Sequence, residues 1–226
     1  MRRFEANWLE TTLFLNRGGR FDARILPLEA QLAPAFAVCV ADYDGDGNDD
    51  VFLSQNFFGV DAETSRYAAG RGLWLQGDGQ GGLRAVPGQE SGVRVYGEQR
   101  GAAVGDFDGD GRVDLVVAQN GAQTCLFHNA RGKPGLRVRL QGPEKNPQGI
   151  GAVVRLKFGD RFGPARELHA GSGYWSQDSP VLVLGTPTTP TQIHVRWPGG
   201  HTTAADLPPS AREVAISIQG SLRLIR

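Results

Sequence analysis

One nine-residue pattern occurs twice, beginning 64 positions apart at Asp42 and Asp106. The first copy reads Asp42-Tyr43-Asp44-Gly45-Asp46-Gly47-Asn48-Asp49-Asp50, and the second Asp106-Phe107-Asp108-Gly109-Asp110-Gly111-Arg112-Val113-Asp114. Each places carboxylates at positions 1, 3, 5 and 9 and glycines at 4 and 6. Like charges at this density repel one another unless a cation lies among them, and hard oxygen donors favour calcium. The glycines permit the positive φ of a tightly wrapped loop, and the short aspartate side chain suits a small ring better than glutamate. Four inward side chains and the backbone carbonyl at position 7 then form the expected cage. The candidate ligands are Asp42, Asp44, Asp46, Asn48 and Asp50 for one Ca2+, and Asp106, Asp108, Asp110, Arg112 and Asp114 for a second.

An EF-hand shares Asp at 1, 3 and 5 and Gly at 6, but requires a bidentate Glu at position 12 and flanking helices. Position 12 here is Leu53 or Val117, each inside a short apolar run. The ninth-position aspartate closes the loop instead, and the EF-hand is rejected.

The elements holding these loops repeat with them. Phe36–Ala41 and Val51–Asn56 flank the first loop, and Gly101–Gly105 and Leu115–Asn120 flank the second. All have strand length and composition. A third element recurs as Leu13-Phe14-Leu15-Asn16, Leu73-Trp74-Leu75-Gln76 and Leu126-Phe127-His128-Asn129. Strand, metal loop, strand, connection, strand, turn, strand at about 60 residues per unit describes four-stranded propeller blades. The expected fold is all-β: a partial β-propeller of two to three four-stranded blades over residues 1–130, with a small C-terminal β-sandwich over 135–226. A closed propeller takes about four to eight blades, so the missing ones are expected upstream or on another chain. Asn129–Gly135 reads as a linker. Beyond it Leu136, Val138 and Leu140 alternate with Arg137 and Arg139, and Ile193, Val195 and Trp197 with His194 and Arg196. Such alternation describes half-buried antiparallel strands.

Lysine plus arginine and aspartate plus glutamate both number 24, so no net field argues for nucleic acid. Apolar runs are far shorter than the roughly 18 residues of a membrane span. The start Met1-Arg2-Arg3-Phe4-Glu5 lacks the apolar stretch of a signal peptide. Cys39 and Cys125 are read as free thiols. Gly77–Gly82 matches G-x-G-x-x-G by letter but lacks the βαβ context of dinucleotide binding, and reads as a hairpin turn. His128, His169, His194 and His201 show no metal-ligand spacing. Ser172 lacks the elbow motif of a hydrolase nucleophile. Trp197 reads as core, with a surface sugar platform as the alternative.

The two loops resemble the calcium loops of FG-GAP or VCBS repeats, as in integrin α-chain propellers. Asn146-Pro147-Gln148-Gly149-Ile150-Gly151-Ala152, Gly171-Ser172-Gly173-Tyr174-Trp175-Ser176-Gln177 and Val195-Arg196-Trp197-Pro198-Gly199-Gly200 resemble the ASPIC/UnbV domain that follows such repeats in the cartilage acidic protein family. One departure is Leu184-Gly185-Thr186-Pro187, where that family usually has Phe-Gly-Leu-Gly. The resemblance implies a calcium-binding, non-enzymatic interaction or adhesion module, extracellular or periplasmic, with a protein or glycan partner. The alternative is an accessory or enzymatic component of a natural-product or glycan-processing pathway, with a polar cleft near Glu167, His169 and Asp178.

Overall fold

The computed structural model describes residues 3–226; Met1 and Arg2 of the basic start lie outside the described residues. The fold is almost entirely β. Strands β1 (Thr12–Asn16) and β2 (Phe21–Ile25) form a two-stranded antiparallel ribbon. Strands β3 (Ala35–Ala41), β4 (Asp50–Gln55), β5 (Leu73–Gly77) and β6 (Leu83–Val86) form a four-stranded antiparallel meander. Strands β7 (Glu98–Gly105), β8 (Asp114–Asn120) and β9 (Ala122–Phe127) repeat it with three strands, not the four expected. After β9 the chain leaves the sheet, and no fourth strand joins it among the described residues. These sheets do not close into a ring among the described residues.

The repeat extends to its irregularities. A register shift interrupts β3–β4 between Ala35 and Val38, and another interrupts β7–β8 at the matching Gln99 and Ala102. Ala37, Cys39 and Phe52 of one sheet pack with Ala102, Leu115 and Val117 of the other in one buried cluster. Ser54 also joins the sheets, accepting from Ala37 N (2.7 Å) and donating to Arg100 O (2.7 Å). Position 12 of each loop is core: Leu53 and Val117 are buried in β4 and β8, which leaves no place for an EF-hand glutamate.

The C-terminal part has nine strands: β10 (Leu136–Gln141), β11 (Val153–Phe158), β12 (Arg161–Phe162), β13 (Arg166–Glu167), β14 (Leu182–Leu184), β15 (Gln192–Arg196), β16 (Thr202–Asp206), β17 (Glu213–Ser217) and β18 (Leu222–Leu224). One sheet has the order β14-β10-β17-β18; the other runs β12-β11-β15-β16, with β13 also on β11. Both contribute to one core that includes Val138, Val154, Ile193, Val195, Trp197 and Ile216. Trp197 is fully buried and donates from Nε1 to Thr203 Oγ1 (2.9 Å), which rules out a sugar platform at that residue. The expected antiparallel pairing is corrected at one place, because β10 and β17 run parallel. Alternation reports burial on one face and carries no information on strand direction. The β17–β18 hairpin turns at Gly220, whose φ of +84° is a conformation glycine adopts without strain.

The stretch read as a linker is a strap tied to both loops. Lys133 N donates to Asp44 O (3.0 Å), Gly135 N to Gly111 O (2.7 Å), and Asn129 Nδ2 to Tyr43 O (2.7 Å). Each loop offers outward-facing backbone carbonyls that a side-chain pattern cannot show.

Candidate metal centre

The two loops are nearly superimposable in their bonding. At position 1, Asp42 Oδ1 accepts from Gly45 N (2.8 Å) and Asp46 N (3.1 Å), and Oδ2 from Gly47 N (2.8 Å). Asp106 does the same with Gly109 N (2.8 Å), Asp110 N (3.0 Å) and Gly111 N (2.7 Å). The glycines make this wrap possible, with φ of +74° and +91° at Gly45 and Gly47 and +80° and +87° at Gly109 and Gly111. At position 9, Asp50 accepts from Tyr43 N (3.1 Å) and Gly77 N (2.8 Å), and Asp114 from Phe107 N (2.9 Å) and Asn129 N (2.7 Å). The closing aspartate thus ties the loop entrance to β5 in the first copy and to the strap after β9 in the second.

The aspartates do not all converge equally. Carboxylate oxygens of Asp42, Asp44 and Asp50 lie within 4.8 Å of one another, as do those of Asp106, Asp108 and Asp110. Asp46 is drawn toward Asn48, whose N and Nδ2 donate to it (2.8 and 3.1 Å). Arg112 likewise donates through N to Asp110 Oδ1 (2.8 Å) and pairs with the same carboxylate through its guanidinium. Burial without a countercharge pushes the carboxyls of Asp42 and Asp50 up to about 6, against the backbone donors that lower them. A donor set of hard oxygens, held convergent and partly desolvated, fits a divalent cation.

One neighbour escaped sequence reasoning. His128 Nδ1 lies 3.3 Å from Asp114 and 3.6 Å from Asp108, forming a third group able to hold a metal. The strand register aligns Leu75 with Phe127, through Val51 and Leu115, and therefore Gln76 with His128. Gln76 Nε2 donates to Asp44 Oδ2 (2.5 Å) from the matching place. Aligning Leu73 with Leu126 by letter offsets the third strand by one residue and hides this equivalence.

Both loops face the C-terminal sheets. Gly185 lies on Asp42 and Pro187 on Gly47. At the second loop Arg137 pairs with Asp106, and its Nε donates to Glu213 Oε2 (3.1 Å). Arg137 is therefore buried, whereas alternation placed it on a polar outer face. Asp49, between the ligand positions, pairs with Arg166 at 2.6 Å.

A cavity of about 480 Å3 between the two parts includes Arg166, Glu167, His169, Asp178 and Ser179 in its lining. The cleft residues singled out from the sequence do come together there. Asp178, however, accepts from Val104 N on β7 (2.8 Å), and Ser179 N donates to Val104 O (2.9 Å). These contacts satisfy exposed strand backbone, the ordinary role of such a polar turn.

Comparison with known proteins agrees with this geometry. Residues 100–127 match the FG-GAP repeat and residues 142–222 match the ASPIC and UnbV family, so the chain carries both. It is also similar to cartilage acidic protein 1 of Xenopus tropicalis, at 27% identity over 173 residues. That alignment covers 74% of this chain and 26% of the frog protein, so the chain matches about a quarter of its relative's length.

Proposed function

We propose that this chain is a calcium-stabilised, non-enzymatic interaction module, with one Ca2+ in Asp42–Asp50 and another in Asp106–Asp114. The observation that carries the reading is the bond-for-bond repetition of the two loops, the second of which lies within the FG-GAP match. Asp42, Asp44, Asp46 and Asp50 would hold one ion, and Asp106, Asp108, Asp110 and Asp114 the other, with the Asn48 and Arg112 carbonyls completing the sets. Bound calcium supplies charge neutralisation, which removes the repulsion among the carboxylates. The units are read as propeller blades over 1–130 and a β-sandwich over 135–226, with the remaining blades upstream or on another chain. Because strap and sheets meet at the loops, the cations act at the joint between the two parts. The partner is a protein or glycan in an extracellular or periplasmic setting, where millimolar calcium suits sites of about 0.1–1 mM affinity. Trp175, 92% exposed at φ +50°, offers an aromatic contact for it.

The test is thermal unfolding in chelator against 10 mM calcium. Affinities in that range stabilise by about 1.4–2.7 kcal/mol per site. An unchanged melting temperature rejects the reading. The second reading, a small-molecule or pathway component, draws on the cavity containing Glu167 and His169. It requires that replacing both abolishes a turnover or ligand binding while calcium stabilisation persists.

A further inference from the structure

The two loops share one scaffold but differ in the charge placed against it. At position 7 the first has Asn48 on Asp46, and the second has Arg112 on Asp110. At the third strand the first has Gln76 on Asp44, and the second has His128 facing Asp108 and Asp114. Over position 1 the first has Gly185 against Asp42, whereas the second has the guanidinium of Arg137 on Asp106. At all three places a neutral group in the first loop is answered by a basic or titratable one in the second.

We propose that Arg137, assisted by Arg112, is a resident counter-ion of the second loop that makes the two cation sites unequal, the first loop filling at lower calcium. This rests on the reading that both loops bind calcium. A cation entering the second loop meets carboxylates already neutralised in part and must approach a fixed positive charge. Arg137 cannot simply withdraw. Its other partner, Glu213, is buried on β17 and is shared with Arg139 (2.6 Å) and, more distantly, Arg226 (3.9 Å). In the first loop the nearby guanidinium, Arg166, is engaged by Asp49, outside the ligand positions. The guanidinium groups of Arg137 and Arg112 therefore set its affinity without themselves coordinating the ion.

The experiment is calcium titration of the full chain by calorimetry, with native mass spectrometry to count bound ions and circular dichroism to verify folding. The expected result is two steps. Asp44→Asn removes the tight step and Asp108→Asn the weak one. Arg137→Gln tightens the weak step about tenfold and leaves the tight step alone, while Arg137→Lys stays close to the parent. Equal steps in the parent, or a weak step unmoved in a folded Arg137→Gln protein, would overturn the inference. Should that variant not fold, Arg112→Gln takes its place, since Arg112 is half-buried and acts on the same loop. It too must tighten the weak step, and failure to do so overturns the inference. Absence of calcium binding by every protein rejects the calcium reading itself, and this inference with it.

Discussion

Gly185 lies so close to the Asp42 carboxylate that a Cβ at this position would overlap Oδ2. Gly185, the one position at which Leu184–Pro187 agrees with the usual family tetrapeptide, is thus a docking point for the first loop, with Pro187 beside it on Gly47. Gly185→Ala should cost about 1–3 kcal/mol, because loop and sheet must separate to admit a methyl group. In a chain of this length that lowers the melting temperature by roughly 3–10 °C. Asp42 moves with the loop, so the tight calcium step should weaken in the same variant. Differential scanning calorimetry with and without calcium reads both effects.

The closing aspartates are structural as well as candidate ligands. Both oxygens of Asp114 accept backbone N–H groups, from Phe107 and Asn129, and the side chain is buried. Asp114→Ala leaves both donors without a partner and should destabilise the metal-free protein by about 2–4 kcal/mol. Asp108→Ala, at an exposed position, should change metal-free stability by less than about 0.5 kcal/mol. Denaturant unfolding in excess chelator separates the two roles. Equal costs for both variants would refute the division.

The loops, their strands and the repeat were legible in the sequence because aspartate and glycine spacing and strand length are local properties. So was Trp197, whose alternation with Arg196 and His194 marks it as core. The joint was not legible. Arg137 alternates as an outer-face residue, and only the tertiary position of Asp106 makes it a buried partner. Strap residues Lys133 and Gly135 act through backbone N–H groups, which every non-proline residue has. The parallel β10–β17 pair escaped for a similar reason, since one-sided burial looks the same in either direction. His128 was recoverable only by aligning the repeats through Asp50 and Asp114.

Glu98 gives the fold a dependence on acidity away from the loops. Its burial is outweighed by hydrogen bonds from Phe58 N, Asn120 and Arg100, which hold its carboxyl at about 2 against an ordinary 4.5. A depressed folded-state value contributes stability that is present above 4.5 and lost as pH falls toward 2. Denaturant midpoints of the parent and Glu98→Gln should therefore differ most at neutral pH and converge between about pH 5 and pH 2. A gap independent of pH would show that the charge on Glu98 contributes nothing.

Cys39, on the strand that enters the first loop, reports on that loop, and Cys125, on β9, serves as its control. Cys39 is buried on β3, which ends at Ala41 where the loop begins. Burial, with a smaller contribution from Asp178, pushes its thiol up to about 12. Cys125 lies on β9 and is only half-buried. A thiol reagent at pH 8 should label Cys125 in a fast phase that Cys125→Ser abolishes, and Cys39 only as β3 opens. Stabilisation of the first loop by about 1.4 kcal/mol corresponds to roughly tenfold fewer openings, so calcium should slow Cys39 labelling by about that factor. Cys125 labelling should respond far less. If both thiols slow equally, calcium is acting on the whole chain and not through the strand that enters Asp42.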